Sequence, residues 1–155
     1  MRPKPLILLA SAGSAALLLG ALAFQYIGDM PPCKLCYWQR YPHVAAALAG
    51  PVALVVATPL IIAFGALAAL TTAGIGIFHT GVERGWWEGP ASCSSTGIDG
   101  LSTDQLMDQI MTAPLVRCDE IAWQLAGVSM AGWNAILSLG LVVLWLAAWR
   151  AARRD

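Results

Sequence analysis

Charge-free stretches divide this chain. There is no Asp, Glu, Lys or Arg from Pro5 to Gly28, nor from Ile121 to Trp149. Each stretch suits one membrane helix, since a crossing needs about 20 apolar residues at about 1.5 Å rise per residue. Tyr41 to Val82 is also uncharged, but its 42 residues are too long for one crossing. They fit two short helices joined by a tight turn. Thr58-Pro59 is the best turn, because proline drives the residue before it out of the helical region. Pro51 then reads as a kink tolerated inside a bundle. The expected spans are about 6–27, 43–57, 60–78 and 129–149, with loops 28–42 and 79–128 between them. The fold class is all-α: a membrane four-helix bundle forming a single domain over 1–155.

Charges at the ends orient the bundle. Arg2 and Lys4 precede the first span, and Arg150, Arg153 and Arg154 close or follow the last. Basic residues stay on the cytoplasmic side, so both termini are expected there. An even number of spans then puts both long loops, and all four cysteines, outside. Eight of the nine acidic residues also fall there, all but Asp155. The Thr58-Pro59 turn carries no basic residue to hold it inside. The first span also has features of a signal peptide, with Arg2, Lys4 and an Ala21-Leu22-Ala23 site. Its apolar stretch exceeds the 7–15 residues typical of such signals, so a retained helix is expected.

Composition agrees with the pattern. Hydrophobic residues make up 58% and charged residues 12%, with zero net charge, where soluble domains carry about 25% charged residues. The basic residues form no patch for nucleic acid, and no glycine-rich phosphate loop appears. Small residues recur every fourth position at Ala12, Ala16 and Gly20, and again at Gly65 and Ala69. That spacing lets helix backbones approach closely in lipid. In the second loop, Ser102 and Gln105 form a capping box, with Leu101 and Leu106 as its staple. The helix they start puts Leu106, Met107, Ile110 and Met111 opposite Asp104 and Asp108. Such a short amphipathic helix can lie on the bilayer surface or pack on protein. The small residues from Gly89 to Gly97 suit a mobile arm carrying Cys93.

The cysteines carry the chemistry. Cys33 and Cys36 form a C-x-x-C, and Cys93 and Cys118 lie 25 residues apart in the outer loop. Thiolate is the attacking species in disulfide exchange, and a nearby cation favours it. Arg40, four residues after Cys36, shares its face if the segment is helical. There it can stabilise a Cys36 thiolate or an anionic acceptor, or anchor the interface beside Tyr37, Trp38 and Tyr41. Zinc fits less well, because the second pair lacks the spacing of a knuckle. An outside location favours disulfides, and four cysteines allow three pairings.

Pro32-Cys33-Lys34-Leu35-Cys36-Tyr37-Trp38-Gln39-Arg40 resembles the signature of the bacterial disulfide bond formation protein B family, DsbB. Cys118-Asp119-Glu120, with Trp123, Gly127, Met130 and Trp133, resembles the segment leading into that family's last helix. The resemblance implies a multi-pass quinone reductase of the bacterial inner membrane. Its expected partners are a DsbA-like periplasmic thiol oxidase, the membrane quinone pool and the bilayer. The quinone would be ubiquinone or menaquinone. Cys93 resembles the cysteine attacked by the partner's thiol, and Cys118 the one that exchanges with Cys33. Cys36 resembles the cysteine beside the quinone, and Arg40 the arginine assisting its binding. His79, Met130 and Trp133 match residues at the quinone pocket. A DsbA-like partner is itself a strong oxidant, so a quinone is needed to draw the electrons onward. Two other assignments compete: a vitamin K epoxide reductase-like enzyme, whose C-x-x-C usually lies near the last helix, and a scaffold with two static disulfides.

Overall fold

The computed structural model describes residues 3–56, 58–94, 102–112 and 116–154. Its elements are α1 (Pro3–Tyr26), α2 (Lys34–Val56), α3 (Pro59–Glu83), α4 (Thr103–Thr112), β1 (Gln124–Leu125), β2 (Val128–Ser129) and α5 (Met130–Ala152). The four long helices close into a ring. α1 packs on α2 and α5, α3 packs on α2 and α5, and α1 and α3 lie across the diagonal.

Three of these helices, α1, α3 and α5, are long and apolar enough to cross a membrane. α2 is of similar length but carries Lys34, Gln39, Arg40 and His43 in its first half. Its start corrects the expected loop 28–42, whose last part is helical. The cause lies in the packing: Leu35, Gln39, His43, Ala46 and Gly50 recur at helical spacing and are all buried. Pro42 and Pro51 both sit inside α2, as neighbouring helices in a bundle permit. The break after α2 falls where the sequence puts it. Thr58 is extended (φ −96°, ψ 135°) and Pro59 opens α3. α3 runs on to Glu83 rather than stopping near 78, which keeps His79 on the helix.

Close approach depends on small residues. The core at one end of the bundle joins Ile7, Ala10, Ala49, Ala53, Ile62 and Ala69 to Leu141 and Trp145. A Cβ on Gly65 would stand 2.7 Å from the Trp145 indole, and Ala69 is fully buried, so that stripe is a helix contact. The stripe on α1 is not. α1 turns Ile7, Ala10, Ser11 and Ser14 inward, while Ala12 and Ala16 are exposed. Large side chains such as Leu19, Val55, Leu60, Leu67 and Val143 cover the outside, an apolar surface suited to lipid rather than water.

The loop helix α4 begins as its sequence predicts. The Ser102 N–H donates to Gln105 Oε1 at 2.9 Å, and the Gln105 N–H donates to Ser102 Oγ at 3.4 Å. Met107 and Met111 are exposed. The Leu101 half of the staple and the side chains of Leu106 and Ile110 lie outside the described residues. β1 and β2 form an antiparallel hairpin, pairing Gln124 with Ser129 and Leu125 with Val128. Its two turn residues, Ala126 and Gly127, both have positive φ (52° and 75°), as the tightest hairpin turns demand. The hairpin leads directly into α5, which Ser129 caps by accepting the Gly132 N–H.

Candidate functional site

Cys33 immediately precedes α2, and Cys36 lies in its first turn. The Cys33 sulfur accepts the Cys36 N–H at 3.3 Å, the place an N-cap side chain takes at a helix start. Both thiols are free, and the Cys33 thiol donates to the Cys36 sulfur at 2.9 Å. That hydrogen bond, and then burial, push the Cys33 thiol far above the ordinary cysteine range. The shared proton therefore stays with Cys33, and Cys36 is the sulfur left to carry negative charge and to attack.

Behind Cys33 stands a buried polar cluster drawn from three helices. His79 Nε2 of α3 lies 3.6 Å from Cys33 Sγ, and its Nδ1 lies 2.9 Å from Gln39 Nε2 of α2. The same Gln39 amide nitrogen donates to the Leu35 carbonyl at 3.2 Å. Asn134 of α5 donates to Gln39 Oε1 at 2.8 Å and to Thr72 Oγ1 at 3.1 Å. His43 Nε2 meets Asn134 Oδ1 at 2.8 Å. Glu83, one turn beyond His79, places Oε1 3.9 Å from His79 Nε2. Its Oε2 has no hydrogen-bond partner among the described residues.

The second cysteine pair is joined. Cys93 and Cys118 form a disulfide, and the Cys118 N–H donates to the Cys93 carbonyl. Both pairs share one buried cluster: Cys33, Leu35, Val82, Cys93 and Cys118, with Cys36 and Val116 packed against it. The expectation of a free arm around Cys93 is corrected for its described part. Cys93 is only 1% exposed. Its chain turns tightly, with Cys93 and Ser94 N–H groups donating to the Pro90 carbonyl at 2.9 and 3.0 Å. Lys34 Nζ, beside Cys33, donates to Ser92 Oγ at 2.8 Å. Apolar packing on Val82 and Leu35 outweighs the flexibility of the small residues. Residues 95–97 of the expected arm lie outside the described residues.

A cavity of about 420 Å³ opens beside the inner pair, within the range of small-molecule sites. Cys33, Cys36, Arg40, His79, Met130 and Trp133 all line it, so it unites the inner pair with every residue expected at a quinone pocket. Arg40 is held against α1: one terminal nitrogen donates to Gln25 Oε1 at 2.5 Å, the other to the Ala21 carbonyl at 3.2 Å. Its guanidinium also lies 5.2 Å from the Tyr37 ring centre. Trp133 is fixed by its indole N–H, which donates to the Leu125 carbonyl of the hairpin at 3.1 Å. Trp123 packs on Phe24 with ring centres 5.1 Å apart, tying the hairpin to α1. A soft metal could also find ligands here, since one atom each of Cys33, Cys36 and His79 lie within 4.8 Å of one another.

Sequence reasoning does not single out Gln25, Gln39, His43, Glu83 or Asn134. The usable signal is polarity out of place, since polar side chains within membrane-length helices are costly and usually mark a site.

A family model described as "Disulfide bond formation protein DsbB" matches residues 3–148. A "Disulfide bond formation protein B" of Methylococcus capsulatus is 31% identical over 149 residues, covering 90% of each chain. One of Polaromonas naphthalenivorans is 26% identical over 159 residues, covering 98% of this chain and 95% of the relative. The "Uncharacterized protein RP370" of Rickettsia prowazekii is 27% identical over 125 residues, 77% of this chain and 72% of its own. No solved structure matches.

Proposed function

This chain belongs to the DsbB family of disulfide bond formation proteins, and on that premise we propose that it is a membrane quinone reductase that reoxidises a DsbA-like periplasmic dithiol oxidase. The observation that carries this reading is the packing of both cysteine pairs in one buried cluster, beside a cavity lined by Cys36 and Arg40. α2 makes the fourth crossing, and both termini are cytoplasmic, which brings all four cysteines to the periplasmic side.

Electrons move by disulfide exchange. A partner thiolate attacks Cys93, the Cys93–Cys118 bond breaks, and Cys118 leaves as a thiolate. Cys118 attacks Cys33 in an oxidised inner pair and releases Cys36. The partner's second thiol then displaces Cys93 and completes the partner's disulfide. Cys93 in turn recaptures Cys118 and frees Cys33. Two electrons have passed from the partner dithiol to the inner pair. The end state has Cys93 bonded to Cys118 and both inner thiols reduced, the arrangement of this structure.

A quinone bound in the cavity supplies the sink, accepting two electrons and two protons as Cys33 and Cys36 form their disulfide. The cavity suits such a ring: its wall is largely apolar, and Cys33 and Cys36 share the lining with the guanidinium groups of Arg40 and Arg117, the imidazoles of His43 and His79, and the carboxyl groups of Glu83 and Glu120. Arg40 stabilises negative charge on Cys36 and on the reduced ring, an effect strengthened by low dielectric. Met130 and Trp133 form its wall, and His79 faces Cys33. Exposure of Cys93 to the partner requires the 89–94 turn to lift from Val82.

The test is anaerobic. Reduced protein is mixed in a stopped-flow instrument with ubiquinone or menaquinone analogues, and thiols are trapped with time. Cys33 and Cys36 should form a disulfide in step with quinol appearance, one for one. Thiols that stay reduced with both quinones would refute the assignment and favour a scaffold with static disulfides.

A further inference from the structure

Within the quinone-reductase reading, we propose that Gln39 is a positioning residue: it holds His79 as the Nε2–H tautomer, so that His79 meets the redox pair as a hydrogen-bond donor and not as a base.

The inference follows from which atoms can only accept. A backbone carbonyl has no proton to give, and the Leu35 carbonyl faces one end of the Gln39 amide at 3.2 Å. That end must be the NH₂ group. Its second N–H points at His79 Nδ1, 2.9 Å away, so Nδ1 accepts. The other end of Gln39, the carbonyl oxygen, takes its proton from Asn134 Nδ2 at 2.8 Å. Asn134 is oriented in the same way. Its NH₂ faces Thr72 Oγ1 at 3.1 Å, and that hydroxyl already donates its own proton to the Gln39 backbone carbonyl at 3.0 Å. The Asn134 oxygen is then left to accept from His43 Nε2 at 2.8 Å. Donors thus run in one direction: His43 to Asn134, Asn134 to Gln39, Gln39 to His79. Turning either amide over would set two acceptors against each other in a buried site, where an unmade hydrogen bond is costly.

A neutral imidazole with Nδ1 accepting carries its proton on Nε2. That proton faces Cys33 Sγ at 3.6 Å and Glu83 Oε1 at 3.9 Å. His79 can therefore stabilise a Cys33 thiolate whenever exchange creates one, but it cannot take the Cys33 proton. The same tautomer puts a proton rather than a lone pair on Nε2, so closing the Cys33, Cys36 and His79 set on a metal ion would cost the Gln39 hydrogen bond.

The chain has two histidines, His43 and His79, so ¹⁵N-histidine labelling of the whole protein in nanodiscs gives two ring systems. His43→Gln separates them. The expected His79 spectrum at neutral pH has a proton coupled to Nε2 and none on Nδ1. Gln39→Glu replaces the donor by an acceptor and should put a proton on Nδ1. Gln39→Leu removes the donor without adding charge and should leave the proton shared between the two nitrogens. A native His79 protonated on Nδ1 overturns the assignment without need of any variant, and so does an Nε2–H ring unmoved in both. Function supplies a second readout: Gln39→Glu should slow oxidation of the inner pair by an added ubiquinone analogue roughly tenfold, the weight of about one hydrogen bond to a charged sulfur. In a His79→Gln background, the same change should have little further effect. An undiminished effect there means that Gln39 acts by another route and refutes the positioning role. The spectrum does not depend on turnover, so it stands or falls apart from the quinone assignment.

Discussion

Removing the Arg40 side chain tests the cavity most directly. A guanidinium has five N–H donors. Two of Arg40's go to Gln25 and the Ala21 carbonyl on α1, which leaves three for whatever occupies the cavity. A hydrogen bond to a charged group is worth roughly 1.5–3 kcal/mol. Arg40→Ala should therefore weaken quinone engagement by about ten- to a hundredfold, at about 1.4 kcal/mol per tenfold. Loss of an interaction shared by bound quinone and transition state appears in KM, whereas one made only in the transition state appears in kcat. Steady-state rates with varied quinone and saturating partner separate the two. Arg40→Lys keeps the charge but not the planar fork. It cannot hold α1 and face the cavity equally well, and should fall between native and alanine. Gln25→Leu controls for the lost anchor: it removes one of the two Arg40 bonds to α1 without removing charge, and should disturb KM less than Arg40→Ala. Unchanged quinone kinetics in a folded Arg40→Ala protein would reduce Arg40 to an anchor between α1 and α2 beside Tyr37.

Further outcomes are expected. Cys118→Ala leaves Cys93 without its disulfide partner, so its free thiolate should attack the disulfide of an oxidised thioredoxin-like partner, breaking that bond, and the resulting mixed disulfide should be trapped on non-reducing gels; an adduct that survives loss of Cys93 would reverse the assigned roles. In reduced protein, brief alkylation between pH 7 and 9 should mark Cys36 well before Cys33, because the Cys33 thiol is pushed up and stays protonated across that range; mass spectrometry reads the order, and equal labelling would refute it. Gly65→Val should lower thermal stability by about 1–3 kcal/mol, the usual cost of overpacking, because its Cβ would press on the Trp145 indole. Quinone kinetics of the surviving folded protein should be near native, since the clash lies outside the cavity.

The ends of α1 and α5 and the start of α3 were legible within a few residues because hydropathy marks them, and Thr58-Pro59 because a backbone rule fixes it, whereas α3 continues past the expected end near 78 to Glu83. The capping box at Ser102 and Gln105 was legible for the same local reason. α2 was misplaced because its first turns carry charge and amide groups that read as loop. They are helical because Leu35, Gln39 and His43 are buried by partners on other helices. The α1 stripe failed similarly: spacing shows that small residues repeat, not which face meets a neighbour. The motif exposed Cys33, Cys36 and Arg40, but Gln39 gained a role only when His79 and Asn134 closed on it from 40 and 95 residues away. Cys93 read as mobile because small polar residues surround it, while its burial is imposed by Val82 and Leu35.

The small residues of α1 have a consequence for how a lipid-soluble oxidant would meet this protein. Ala16, Gly20 and Ala21 line the cavity; Ala16 is exposed, and a side chain at Gly20 would meet nothing within 4 Å. On that side the cavity is therefore lined by small residues of a helix suited to the bilayer. A lipid-soluble ligand arriving there diffuses in two dimensions, and its activity is set by its mole fraction among lipids rather than by its amount per litre. An apparent KM measured in detergent will scale with the quantity of micelle, and only values expressed per lipid or detergent molecule will be comparable between preparations.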